Sequence, residues 1–222
     1  MSALKILNTR IAHRIVNAVN NQSFSITGHP LSLTQLKDTE FQQFKSWLHR
    51  AAGINLSDAK KALVAGRLAK RLKHHNIQSY GEYFQFITSG SATAELQTAV
   101  DLLTTNETYF FREPKHFSFL RERVLTNITP GQAFRLWSAA SSSGEEPYSL
   151  AMTIADKLTT TPWEILASDI STHVLGIARE GHYPMARAQH IPQSQLTKYC
   201  LKGVGPQDGT FLIERALRNR IN

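Results

Sequence analysis

Two carboxylates, Glu145 and Glu146, stand where a short apolar run passes into a helix-forming run. The loop that delivers them, Ser138-Ala139-Ala140-Ser141-Ser142-Ser143-Gly144, is made entirely of small residues. A third carboxylate, Asp169, closes a second apolar run, Trp163-Glu164-Ile165-Leu166-Ala167-Ser168. Carboxylates accept hydrogen bonds from ammonium and hydroxyl groups, and an acid at the end of a strand can accept both hydroxyls of a ribose. These positions suit recognition of a nucleoside-bearing cofactor. The competing use of Glu145 and Glu146 is purely structural, as acids that stabilise the first turn of a helix through its dipole.

The elements that would position them follow from periodicity. Ala133-Phe134-Arg135-Leu136-Trp137 predicts a short buried strand, and Tyr148 to Ala155 predicts a helix rich in good formers. Trp163 to Ile170 predicts a second strand, and Ser171 is placed to cap a helix from Thr172 to Glu180. Strand, loop, helix and strand make a Rossmann-like α/β unit, whose ligands lie outside the carboxyl ends of the strands. A dehydrogenase is the competing version, but a dinucleotide fingerprint needs Gly-x-Gly-x-x-Gly. This loop offers Gly144 alone. A cofactor without phosphates, such as S-adenosylmethionine, makes no such demand.

Three segments extend the pattern: Thr105-Asn106-Glu107-Thr108-Tyr109-Phe110-Phe111-Arg112, then Trp137 to Ser149 with its Gly144-Glu145-Glu146-Pro147-Tyr148-Ser149 end, then Ala167-Ser168-Asp169-Ile170. Together and in this order they resemble the bacterial chemotaxis receptor methyltransferases, the CheR family, from about Phe41 to the last residue. Residues 1–37 read by composition as a basic extension, and the resemblance implies a small all-helical substrate-recognition domain over residues 38–104. Residues 105–222 would then hold the first part of a Rossmann-like class I methyltransferase domain, with a small β-subdomain over about residues 199–222. It implies methyl transfer from S-adenosylmethionine to glutamate side chains of chemoreceptors, giving glutamyl methyl esters and S-adenosylhomocysteine. It also assigns Asn106, Thr108 and Arg112 to the cofactor pocket, Glu146 to the cofactor's amino-acid end and Asp169 to its ribose. Arg112 is the catalytic candidate, because a guanidinium can hold an attacking carboxylate by paired charge-assisted hydrogen bonds. Its bland alternative is a surface residue pairing with Glu107 or Glu113.

Such a reaction needs alignment more than proton transfer, since the carboxylate is already ionised and the sulfonium methyl already activated. No metal is expected. The nine histidines are scattered, and His74-His75 is read as a solvated helix end rather than a ligand pair.

Charge is divided unevenly. Residues 1–75 hold 12 Lys and Arg against 3 Asp and Glu, a net +9, and residues 76–222 hold 13 against 14, a net −1. The excess gathers in Ser57 to Lys73, predicted as an amphipathic helix capped at Ser57. Leu56, Leu63, Leu68 and Leu72 are expected inward, with Lys60, Arg67, Lys70, Arg71 and His74 along another side. Nucleic acid is the usual partner of a basic stripe, but no aromatic residues interleave this one for base stacking. The family resemblance instead implies docking of acidic receptor helices, with Arg67, Lys70 and Arg71 as substrate-binding residues.

Around it, Thr39 to Ala52, Ser79 to Thr88 and Thr93 to Leu103 predict helices whose aromatic and aliphatic residues form a core. Glu113 to Val124 predicts a helix leading to the sheet. Leu201 to Glu214 predicts a hairpin, which in some family members binds a receptor tail. The first 37 residues lack acids, and Leu4 to Val19 predicts an extra amphipathic helix, with a linker from Asn20 to Pro30. No apolar run reaches the roughly twenty residues of a membrane span, and a lone Cys200 gives no disulfide framework. A cytoplasmic monomer is expected. The family normally continues beyond Asn222, so a C-terminally truncated chain is expected, its sheet left with apolar faces and unpaired edges. The alternatives are a weak or inactive receptor-binding module and a nucleic-acid methyltransferase.

Overall fold

A computed structural model describes residues 35–129 and 131–222. The expected helix over Leu4 to Val19 and the linker after it lie outside these residues. The described residues divide into two compact units, one ending at Thr104 and the other running from Thr105 to Asn222.

The first unit is helical among its described residues: α1 (Asp38–Ala52), α2 (Lys61–His74), α3 (Tyr80–Thr88) and α4 (Thr93–Leu103). Local signals set most boundaries. Glu40 Oε2 accepts from the Lys37 backbone N–H at 2.8 Å at the start of α1, and Gly53 ends that helix in the left-handed region at φ 70°. Ser79 Oγ accepts from Glu82 N at 3.2 Å and caps α3. Phe41, Phe44, Trp47, Leu48, Tyr83 and Val100 fill the core, with the Phe84 ring edge-on to Phe44 at 5.1 Å.

The basic helix departs from expectation at its start. Ser57 makes no side-chain cap; Asp58–Lys60 form a 3₁₀ turn, and α2 begins at Lys61. Its inward stripe is Val64, Leu68 and Leu72, a four-residue step, while Leu63 is 38% exposed. Adjacent residues of a helix point about 100° apart, so burying Val64 turns Leu63 outward.

One buried acid organises this unit. Glu95, on α4, accepts from Arg71 Nε at 2.8 Å and from Tyr83 Oη at 2.6 Å, and is paired with Arg71 Nη2 as well. His75 Nε2 lies 3.0 Å from its other oxygen. Burial alone would raise its pKa, but the hydrogen bonds from Arg71, Tyr83 and His75 outweigh that and hold it at about 2. His75 is therefore partly buried against Glu95, not the solvated helix end expected of it.

The second unit opens with α5 (Pro114–Phe119), which passes into a single π turn, Leu120–Val124, where one continuous helix was expected. Then come β1 (Phe134–Ala139), α6 (Glu145–Lys157), β2 (Trp163–Ser168) and α7 (Thr172–Glu180). β1 and β2 pair in parallel, Phe134 opposite Trp163 through Ala139 opposite Ser168, which gives the strand, helix and strand order of an α/β fold. The carboxyl end of β2 also pairs with Arg220 to Asn222, through Ile165 N to Arg220 O at 2.8 Å and Ala167 N to Asn222 O at 2.8 Å.

β1, expected as a buried strand in a sheet with exposed apolar faces, is buried on one face only. Ser138 is buried, but Trp137 is 62% exposed and its neighbour Leu166 on β2 is 37% exposed. Side chains alternate along a strand, and only the face turned toward α6 joins the core.

Beyond α7 lie β3 (His182–Pro184), a 3₁₀ turn (Met185–His190), α8 (Gln193–Tyr199), β4 (Cys200–Lys202), β5 (Thr210–Ile213) and α9 (Arg215–Arg218). The expected hairpin forms as β4 and β5, and β3 joins its other side in an antiparallel sheet ordered β3-β5-β4. Aromatic packing explains the added strand: Tyr183 meets Phe110 at 5.1 Å and Phe211 at 5.5 Å. Burial, with Glu214 nearby, pushes the Cys200 thiol up to about 12, so it stays protonated and unreactive at neutral pH.

Candidate cofactor site

The carboxyl ends of β1 and β2 are tied to each other by Asp169. Its Oδ2 accepts from Ser142 N at 2.8 Å and its Oδ1 from Ser171 N at 2.9 Å. Each oxygen keeps a further lone pair for a ligand hydroxyl. Ser171 Oγ accepts from Val174 N at 3.4 Å, the cap expected for α7.

Glu145 and Glu146 part company at the first turn of α6. Glu145 is fully buried, with Oε2 accepting from Ser143 Oγ at 2.6 Å and Oε1 3.3 Å from Arg187 Nη1. Glu146 is exposed, and its Oε1 accepts from Ser138 Oγ at 2.6 Å. Consecutive helical positions point in different directions, so one acid faces the protein and the other faces outward.

The Asn106 to Arg112 segment is fastened once to this loop and once to α6. Ser142 Oγ donates to Asn106 O at 3.0 Å, and Phe111 N donates to Ser149 Oγ at 3.0 Å. Ser142 is thus the common neighbour of Asn106 and Asp169. Thr108 is partly buried, and its carbonyl accepts from Arg187 Nη1 at 2.8 Å. Arg112 is exposed, with Nη1 3.4 Å from the Glu107 carbonyl. Asn106 and Asp169 therefore share Ser142 as a neighbour, and Thr108 is linked through Arg187 to Glu145, whereas Glu146 bonds Ser138 and the Arg112 guanidinium meets only the Glu107 carbonyl. Ser142, Ser149 and Arg187 were not picked out as site residues; the two serines sit inside the recognised motif, and Arg187 carries no local signal.

Backbone strain gathers here. Of the five non-glycine residues with positive φ among those described, three lie in these segments, Phe111 (55°), Ala140 (63°) and Ser142 (50°), and Glu113 (59°) directly follows one of them. Such conformations persist where the surroundings over-determine them, often at ligand sites. Gly144 is at φ 98°, and a Cβ there would stand 2.8 Å from Tyr183 Oη and 2.9 Å from Ala178 Cβ, so no other residue fits. Ser141 Oγ is buried without a protein hydrogen-bond partner. Outward carboxylates, an orphaned hydroxyl and a loop without a phosphate-binding glycine pattern fit a cofactor that brings hydroxyl and ammonium donors.

In the helical unit, the three expected docking residues are divided. Arg67 Nη1 donates to Leu102 O and Thr104 O, both at 2.9 Å, closing the end of α4. Arg71 is committed to Glu95, and Lys70 is exposed. Two of the three thus serve the unit's own packing, because long guanidinium side chains reach carbonyl and carboxylate acceptors across the bundle. No cluster of three metal-ligating side chains occurs among the described residues.

Two family models match, the CheR methyltransferase all-alpha domain over residues 39–104 and the CheR methyltransferase SAM binding domain over residues 106–222. The chain belongs to the CheR methyltransferase family. Relatives include the chemotaxis protein methyltransferase of Escherichia coli, 38% identical over 189 residues, covering 84% of this chain and 65% of the relative. That of Salmonella typhimurium is 38% identical over 196 residues, 86% of this chain and 67% of the relative. Chemotaxis protein methyltransferase 2 of Pseudomonas aeruginosa is 39% identical over 184 residues, 82% of this chain and 65% of the relative. The chain thus spans about 65% of the length of such relatives. CheR membership lends no support to a nucleic-acid methyltransferase. No helix among the described residues is long and apolar enough to cross a membrane.

Proposed function

We propose that this chain carries the S-adenosylmethionine site of a chemoreceptor methyltransferase that esterifies glutamate side chains, releasing S-adenosylhomocysteine. The observation that carries the proposal is the Asp169 carboxylate, which locks the Ser142 loop and stands at the end of β2 with acceptor capacity to spare. Asp169 receives the ribose hydroxyls, and the exposed Glu146 receives the ammonium of the cofactor's amino-acid end. Asn106 and Thr108 line the facing segment. The cofactor supplies a methyl group already activated by its sulfonium. What the chain supplies is alignment: the Arg112 guanidinium, free of strong partners, holds the receptor glutamate and presents one oxygen.

Acidic receptor helices dock on the exposed side of α2 through Lys70, with Arg67 and Arg71 contributing through the edges they leave exposed, and the protein works as a cytoplasmic monomer. A receptor tail adds to the β4–β5 sheet; Gly209→Val, at a position with φ 78°, should lower affinity for a tail peptide in a fluorescence titration, and unchanged affinity would remove this contact from the account.

The catalytic assignment is tested by transfer of tritiated methyl groups to receptor as alkali-labile esters. Arg112→Ala should lower the rate by about 100-fold with an unaltered circular dichroism spectrum, since the side chain is exposed. Undiminished transfer would exclude Arg112 from the reaction.

A further inference from the structure

Arg187 lies outside every segment that marks the family motifs, yet one of its nitrogens meets both walls of the candidate site. Nη1 donates to the Thr108 carbonyl at 2.8 Å and lies 3.3 Å from Glu145 Oε1. Thr108 belongs to the Asn106 to Arg112 segment, and Glu145 opens α6 directly after the loop. Glu145 is fully buried, and its Oε1 accepts no hydrogen bond, so the ion pair with Arg187 is what meets that oxygen. A buried carboxylate satisfied by a single serine hydroxyl would be strongly disfavoured, so the guanidinium decides whether the acid can stay where it is.

The stretch that carries Arg187 touches the same two walls elsewhere. Tyr183 Oη donates to Ser143 O in the loop at 2.7 Å, and the His190 ring packs on Tyr109 at 4.9 Å. Tyr183 to His190 therefore forms a brace running from β3 along the outside of the pocket segments. We propose that Arg187 is a positioning residue of the cofactor site: it fixes the spacing between the Asn106 to Arg112 segment and the loop before α6. It acts through Thr108 and Glu145 and touches no reactant. The inference rests on the cofactor reading above, and it adds a specific route by which the small sheet bears on the pocket.

Two measurements on the full chain separate this claim from that reading. In hydrogen–deuterium exchange, Arg187→Ala should raise the exchange of amides in residues 106–112 and 141–146 by about tenfold, the factor set by a lost charge-assisted hydrogen bond. Exchange in β2 should not change. In calorimetric titration the same variant should bind S-adenosylhomocysteine about tenfold more weakly, with Arg187→Lys recovering part of the loss by restoring a cationic donor. Unchanged exchange in both segments, or a rise shared equally by β2, overturns the positioning role. So does wild-type affinity in Arg187→Ala. Absence of binding by the wild-type chain would instead overturn the cofactor reading, while the exchange experiment still decides the role of Arg187.

Discussion

Asp169→Ala should weaken binding of S-adenosylhomocysteine by about 100-fold, the cost of losing a doubly used carboxylate together with the loop it holds. In the native protein Asp169 takes backbone N–H groups from Ser142 and Ser171. Removing it takes away the proposed ribose acceptor and frees the Ser142 loop, where Ser142 is held at φ 50°. Asp169→Asn separates the two effects, because the amide oxygen can still accept from Ser142 N while its negative charge is gone. Calorimetric titration should rank the proteins wild type, Asn, then Ala. Equal affinities across the three would take Asp169 out of the site.

The largest stability effect is expected at Glu95. Glu95→Ala strips the acceptor from Arg71, Tyr83 and His75 at once, and Tyr83 is fully buried. Breaking a buried pair by removing one member costs about 3–5 kcal/mol, so urea denaturation followed by circular dichroism should show a much lower midpoint. The same acid gives the helical unit a pH dependence. Its folded pKa, about 2, lies below its ordinary value of 4.5, so its stabilisation is present in full above pH 4.5 and disappears as pH falls toward 2. Some 3 kcal/mol, on the order expected for such a difference, should be lost across that window in the wild type. Little of that loss should remain in Glu95→Ala. A parallel decline in both proteins would show that Glu95 is not its source.

How much of this was legible beforehand depended on sequence distance. The helices Thr93–Leu103 and Thr172–Glu180 formed with the expected bounds, because apolar spacing and, for the second, the Ser171 cap are local signals. The small-residue loop and Asp169 were visible for the same reason, each standing at the end of its own strand. The misplaced features are long-range. The bond between Arg71 and Glu95 spans 24 residues, and a basic helix read alone gave no hint that Arg71 was already occupied. Leu63 turned outward because it stands five residues before Leu68, off the four-residue stripe that Val64 shares with Leu68 and Leu72. β3 is short, and its recruitment depends on Phe110 and Phe211 meeting Tyr183 from opposite sides in sequence. Arg187 reaches Thr108 across 79 residues, a separation at which no spacing rule operates.

The site follows the same division. Glu146 could be preferred to Glu145 only through family resemblance, whereas the structure supplies a physical contrast, one acid buried against Ser143 and Arg187 and the other facing outward. Arg112 remains the residue whose role rests most on chemistry, since its guanidinium meets only a carbonyl at 3.4 Å. That looseness suits a side chain waiting for a carboxylate partner.

The most direct test of the central claim is a calorimetric titration of the full chain with S-adenosylhomocysteine at neutral pH and low salt. The account predicts saturable binding at one site per chain. A folded protein that releases no heat of binding across the titration would contradict it.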